Sequence, residues 1–299
     1  MHSILDDLTS LLRLERIEHY IFRGESRDIG SAQVFGGQVL GQALYAAGQT
    51  VEQGRRAHSL HAYFLRRGDM QAPIVYEVDA QRDGRSFSVR RVVAVQHGRP
   101  IFNMAASFQI AEEGLEHQFE MPDVPAPETL ADARDIARDS SASLPDKMRR
   151  YLMKDRPFDF RPVEPPAFTS PENRSPFKHV WLRAAGTLPE DNVLHQSILA
   201  YVSDYELIGT SALPHGLPYG LGRVQMASLD HALWFHRDAR VDDWLLYAMD
   251  SPNASGGRGF ARGRLFQRDG TLVASTSQEG VVRVWDEARG SRTDPAKQA

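Results

Sequence analysis

The feature that most constrains the fold is an internal repeat. Three segments return in the same order: YEVD (76–79) as YAMD (247–250), GRSFSVRRV (84–92) as GRGFARGRL (257–265), and HGRPIFNMAASFQ (97–109) as RDGTLVASTSQ (268–278). Their separations, 171 to 173 residues, are nearly constant although each match alone is weak. A period of this size is that of a whole domain, so it predicts a tandem duplication and not a solenoid.

Each half shows the same order of elements, a helix followed by several strands. The first helix is predicted over 34–50, VFGGQVLGQALYAAGQT, and its run of small residues predicts a backbone packed closely against a sheet. The second is predicted over 192–209, with Gly209 as its C-terminal cap. The β-branched and aromatic runs that follow, broken by DG and HG turns, predict antiparallel meanders. The expected class is α+β.

Proline is concentrated in the middle of the chain, between residues 121 and 176. This segment is typical of a long crossover with one or two short helices. We predict an N-terminal domain over 1–115, a proline-rich linker over 116–176, a C-terminal domain over 177–287 and a disordered tail over 288–299.

Composition excludes several functional classes. The chain has 299 residues and a formal net charge of −4, which gives no indication of a nucleic acid or anionic membrane as partner. It has no cysteine, which excludes disulfides, thiolate zinc sites and a cysteine nucleophile. The N-terminus lacks the pattern of a signal peptide, and no apolar run of about 18 residues predicts a membrane span. We expect a cytoplasmic protein.

The stretch QMASLDHALWFH, residues 225–236, places a serine, an aspartate and two histidines close together. If the stretch is one regular strand, its side chains alternate between faces. Ser228 and His231 would then point in opposite directions, and His231 could not act as the base for Ser228. Any catalytic partners of this strand would come from elsewhere in the chain.

Other catalytic motifs are missing from the sequence. There is no G-x-S-x-G elbow, no H-E-x-x-H pair and no Walker A loop. No group of His, Asp and Glu has convincing metal-ligand spacing. We therefore expect no metal and no cofactor.

Four segments carry a resemblance to a known family: FRGESRDIGSAQVFGGQVLGQAL, HSLHAYFLRRGD, QRDGRSFSVRRV and DHALWFHR. They closely resemble bacterial acyl-CoA thioesterase II, and the similarity extends from about residue 4 to about residue 285. The resemblance implies a double hotdog, in which two tandem domains each wrap an antiparallel sheet around a long central helix. It also implies hydrolysis of acyl-CoA to free fatty acid and CoA, and a homo-oligomer, either a dimer or a tetramer.

The resemblance further implies a catalytic set in the second half. Three positions match it: Asp204 in AYVSDYELIG on the second helix, Ser228 where many relatives have threonine, and Gln278 in VASTSQEGVVR on a late strand. The implied mechanism is direct hydrolysis, with Asp204 as general base or main orienter of a water that Ser228 and Gln278 hold. A covalent acyl-Ser228 intermediate is the less favoured alternative, because the sequence supplies no nearby base for it.

The first half is expected to be a silenced copy of this site. His58 precedes Ser228 by 170 residues, whereas Val34 and Ala106 stand where counterparts of Asp204 and Gln278 would be. His58 is a candidate substrate-binding residue, with a hydrogen-bonded interior histidine as the alternative. We expect His231 and His236 to be structural.

Two other functions stay open from the sequence. A hotdog hydratase or dehydratase would need an Asp/His pair on the central helix, but His195 and Asp204 are nine residues apart, about 13.5 Å along a helix. A non-catalytic acyl-CoA-binding protein is the second alternative. The presence of Asp204, Ser228 and Gln278 together argues against it.

Overall fold

The computed structural model describes residues 3–30, 33–140, 144, 146–169, 172–216 and 224–284. The predicted tail over 288–299 lies outside the described residues. The helices are α1 (Ile4–Leu12), α2 (Gly36–Gly48), α3 (Ala133–Asp139), α4 (Asp146–Met153) and α5 (Asn192–Ser203), with 3-10 helices at Pro127–Thr129 and Ile208–His215. The strands are β1 (Glu15–Glu18), β2 (Ile21–Gly24), β3 (Arg56–Phe64), β4 (Ile74–Asp83), β5 (Phe87–Gln96), β6 (Arg99–Gln109), β7 (Phe158–Pro162), β8 (Phe177–Ala184), β9 (Val224–Ser228), β10 (Asp230–Phe235), β11 (Leu245–Ser255), β12 (Arg258–Gln267) and β13 (Leu272–Val284).

The strands form one antiparallel sheet whose order reflects the sequence repeat. The order β2-β4-β5-β6-β3 is followed by β10-β13-β12-β11-β8, which is the same meander traversed in reverse. The halves join where β3 pairs with β10, with Leu60 opposite Leu233. Alternate residues of the strands face inward; β5, for example, buries Val92 and Ala94 and leaves Arg91 exposed. The predicted α+β double hotdog is confirmed.

The two central helices, α2 and α5, run antiparallel and in direct contact inside the sheet. A Cβ atom added to Gly41 would lie 2.7 Å from the carbonyl oxygen of Ser197, and one added to Gly37 would collide with the carbonyl of Tyr201. The glycines of α2 therefore allow close approach of the other helix. The prediction that they pack against a sheet is wrong, because the sequence of one half does not show that the second half supplies a helix as neighbour.

Helix α5 is shorter than predicted. Its N-cap, Asp191, accepts a hydrogen bond from Leu194 N at 3.1 Å, but the helix ends at Ser203 with Asp204 as its C-cap. Glu206 then takes the left-handed conformation, with φ of 60°, that a glycine was expected to provide. Gly209 lies inside the 3-10 helix and is not the cap, so that prediction is wrong.

The proline-rich segment contains α3, α4 and the strand β7, which pairs with β8 at the end of the sheet. An earlier part of it covers an apolar patch on the outer face of the second half, where Trp181 Nε1 donates to Pro125 O at 2.9 Å. The boundaries of the four predicted segments stay predictions. In the described part of the chain, no helix has both the length and the apolar character that a membrane span requires.

Candidate active site

The candidate site lies where the end of α5 meets the start of α2. Asp204 directly follows α5, and its carboxylate accepts a hydrogen bond from the backbone N–H of Gly37 in α2. A carboxylate at the end of its own helix is unfavourable, but the partial positive charge at the start of a neighbouring helix offsets this. A Cβ atom added to Gly36 would lie 2.7 Å from Asp204 Oδ2, so glycine at position 36 leaves room for the carboxylate.

Gln278 on β13 connects the three predicted catalytic residues. Its Nε2 atom lies 2.6 Å from Asp204 Oδ1 and 3.1 Å from Ser228 Oγ. The Gln278 side chain is fully buried, whereas Ser228 is partly exposed. Gln278 Oε1 is buried and has no hydrogen-bond partner among the described residues. The residues named from the sequence thus converge from a helix end and two strands.

His231 also reaches this cluster, which the sequence did not lead us to expect. Its Nδ1 lies 3.2 Å from Gln278 Nε2, so His231 and Ser228 contact the same atom. The prediction that they point in opposite directions is wrong, because the strand is interrupted at Leu229. Ser228 on β9 pairs with Gly280 of β13, whereas Ala232 on β10 pairs with Ser277, and the one-residue change of register reverses the alternation.

Burial controls the charges at the site. Loss of water raises the pKa of Asp204 above its usual range, and the hydrogen bonds from Gln278 and Gly37 oppose that rise without reversing it. Burial lowers the pKa of His231 to about 3, so its ring is neutral near pH 7. Although His231 Nδ1 is 3.8 Å from Asp204 Oδ1, a neutral ring forms no ion pair there.

Two family models match the chain. One, described as acyl-CoA thioesterase, matches residues 155–281, and one described as acyl-CoA thioesterase N-terminal domain matches residues 23–109. Acyl-CoA thioesterase 2 of Haemophilus influenzae is 43% identical over 95% of this chain and 99% of its own length. The chain belongs to the acyl-CoA thioesterase family.

Other members agree in sequence and in structure. Human acyl-coenzyme A thioesterase 8 is 41% identical over 95% of this chain and 90% of its own length. The crystal structure of an acyl-CoA thioesterase II from Mycobacterium marinum matches with a TM-score of 0.76 and 40% identity, covering 94% of this chain and 99% of that one. A tesB protein from Mycobacterium avium subs paratuberculosis matches with a TM-score of 0.77 and 34% identity, covering 94% and 100%.

The corresponding place in the first half of this family member holds a different arrangement. Ala106 on β6 pairs with Arg90 as Gln278 on β13 pairs with Ala261, so Ala106 does occupy the position equivalent to Gln278. Arg90 is buried there, and it donates to Thr50 just beyond the end of α2 and to Asp83. An arginine clamp thus occupies the space that holds the carboxylate–amide pair in the second half.

The counterpart of Asp204 in the first half is not Val34. Helix α2 begins at Gly36 and α5 at Asn192, a separation of 156 residues, so the repeat spacing of the strands does not apply to the helices. Val34 precedes α2, whereas Asp204 caps the end of α5; the residue that caps the end of α2 is Gln49. The error arose because the connection after the helix is longer in the second half.

Two other histidines lie apart from the cluster. His58 on β3 is half-buried with its ring edge against Phe87, and its Nε2 has no hydrogen-bond partner among the described residues. His195, near the start of α5, accepts from Val241 N and faces Pro189 O, as a structural histidine would. Across the described ranges, no group of three or more His, Asp or Glu side chains is placed to hold a metal ion.

Proposed function

We propose that this protein hydrolyses the thioester of acyl-CoA to free fatty acid and CoA by direct attack of water. The observation that carries the proposal is the convergence of Asp204, Gln278 and Ser228 at the junction of α5 and α2. Membership of the acyl-CoA thioesterase family supports the substrate class.

Asp204 is the general base in this mechanism. Its raised pKa makes the ionised carboxylate a better proton acceptor, and the hydrogen bond from Gln278 fixes its orientation. It takes a proton from water as the water oxygen attacks the thioester carbonyl carbon. The C–S bond then breaks, and CoA leaves as the thiolate.

Gln278 and Ser228 hold the reacting groups. Gln278 Oε1, which lacks a partner among the described residues, is available to accept a hydrogen from the water. Ser228 Oγ accepts from Gln278 Nε2, which leaves its own hydrogen for the water or the carbonyl oxygen. The backbone N–H groups at the start of α2 are the nearest helix-end donors for the developing oxyanion.

The same contacts argue against an acyl-Ser228 intermediate. A serine nucleophile needs a neighbour that accepts its proton. The contact of Ser228 Oγ at the site is with an amide nitrogen of Gln278, which donates a hydrogen and cannot accept one.

We extend the proposal to three further points. His58 is a substrate contact through its unpartnered Nε2, so its replacement should raise KM and leave kcat unchanged. The protein acts in the cytoplasm, which the absence of cysteine supports. It forms a homo-oligomer, a dimer or tetramer, which light scattering during size-exclusion chromatography tests.

The test of the function is product analysis with acyl-CoAs from short to long chain. Release of free thiol and free acid in equal amounts supports hydrolysis, and the rates give the preferred chain length. Addition of water to an enoyl-CoA without thiol release would identify a hydratase instead. Binding of acyl-CoA without any turnover would identify a binding protein.

A further inference from the structure

The hydrogen bonds around His231 determine which of its nitrogen atoms carries the proton. The Ser203 hydroxyl has one hydrogen, which it donates to the Ala200 carbonyl at 2.9 Å. His231 Nε2 lies 3.0 Å from the same hydroxyl oxygen, so Ser203 must accept a hydrogen there. Nε2 is therefore the protonated nitrogen of the neutral ring, and Nδ1 carries a lone pair.

That lone pair in turn fixes the orientation of the Gln278 amide. An amide can be turned end for end, and only its neighbours decide which end faces which partner. His231 Nδ1 can accept but not donate, so it requires the NH₂ group of Gln278 on its side. The same orientation points NH₂ at Asp204 Oδ1, whereas the opposite one would bring two oxygens together.

We propose that His231 is a positioning residue, which, held by Ser203, keeps the Gln278 amide nitrogen directed at Asp204. This inference rests on the proposed function and adds to it a buried chain of hydrogen bonds from the α5 backbone to the reacting groups. The neutrality of His231 matters as well, because a positive charge beside Asp204 would weaken its action as a base.

Ser203→Ala is the least disruptive test. It removes the acceptor that fixes the His231 tautomer while leaving the contacts of the ring with the site in place. Once Nδ1 can be protonated, the amide can turn, so we expect kcat to fall about tenfold or more with KM little changed. Ser197→Ala is the matched control, because Ser197 is also buried in α5 but donates to Val193 O, away from His231. A Ser203→Ala enzyme as active as the Ser197→Ala enzyme would overturn the proposal.

A pair of substitutions at His231 separates positioning from packing. Asparagine can present an acceptor near the place of Nδ1, whereas leucine cannot. We expect His231→Leu to lower kcat about 100-fold and His231→Asn to restore at least a tenth of the wild-type rate. His236→Leu, at an exposed neighbour that contacts Ser275 instead, is the control.

A double-mutant cycle completes the test. If His231 acts through Gln278, then His231→Leu in a Gln278→Ala background should change kcat by less than about threefold. Equal losses in both backgrounds would overturn the proposal and leave His231 structural. The proposed function is judged separately: if the wild type releases no thiol from acyl-CoA, the function fails, whereas thiol release with additive losses refutes only the role of His231.

Discussion

The carboxylate of Asp204, at the end of α5, accepts a hydrogen bond from the backbone N–H of Gly37, at the start of α2. The two residues come from different halves of the duplicated chain. The candidate catalytic acid thus belongs to the second half, but the helix end that stabilises its charge belongs to the first. A single hotdog half would lack one of the two parts, which gives a physical reason for the fusion of both in one chain.

The first prediction concerns the space beside the carboxylate. Gly36→Ala would place a methyl group 2.7 Å from Asp204 Oδ2 and 3.0 Å from the Phe64 ring. Because the carboxylate must move, we expect kcat for thioester hydrolysis to fall about 100-fold. Gly114→Ala is the control, since a Cβ at that exposed position meets no atom within 4 Å. Equal activity of the two variants would show that the position of the Asp204 carboxylate is not critical.

The second prediction links the charge of Asp204 to stability. Its pKa is raised in the folded protein, so the folded state binds a proton more readily than the unfolded chain, and folding loses stability as pH rises through the folded-state pKa. Asp204→Asn removes this loss. We expect the variant to melt at a higher temperature than the wild type at pH 8, with a difference that narrows toward pH 4.

Thermal unfolding across this pH range checks the prediction. Asp243→Asn is the control, because Asp243 is exposed and its replacement should give no pH-dependent difference. A wild type that is more stable than Asp204→Asn at pH 8 would mean that the hydrogen bonds to the carboxylate outweigh its burial.

The sequence predicted the architecture better than the local geometry of the site. Constant spacing between the repeated strands predicted two equivalent meanders, since strand order follows from sequence order in a duplicated fold. The interruption at Leu229 was not predictable, because it depends on how β9 and β10 pair with β13, and this pairing sets the direction of Ser228 and His231. The end of α5 was misplaced because a non-glycine residue, Glu206, adopts the left-handed conformation.

The third prediction concerns Ser228. Its hydroxyl holds the reacting groups and is not itself acylated, so Ser228→Thr should keep most of the activity. Ser228→Ala should lower kcat about tenfold to hundredfold, as loss of one fixed hydrogen-bond donor does. Intact mass of wild-type protein quenched during turnover should show no added acyl group. An acyl adduct on Ser228 would replace direct hydrolysis by a covalent mechanism.

The fourth prediction concerns the arginine that occupies the equivalent place in the first half. Arg90 donates to Thr50, Asp83 and the backbone of β4, and its side chain is buried. Arg90→Met should lower the free energy of unfolding by about 3 kcal/mol, because it leaves buried acceptors without their donor. Chemical denaturation measures this loss, and Arg91→Met, at the exposed neighbour on the same strand, should cost less than about 0.5 kcal/mol. Similar losses for the two variants would show that the clamp contributes little.

The most direct test of the central claim is the kcat of Asp204→Asn for thiol release from acyl-CoA, compared with that of the wild type. The substitution is nearly isosteric and removes the charge that accepts the proton from water. We predict a fall in kcat of at least about 100-fold with KM little changed, in line with removal of a general base. A variant that releases thiol as fast as the wild type would contradict the account and place the chemistry away from the junction of α5 and α2.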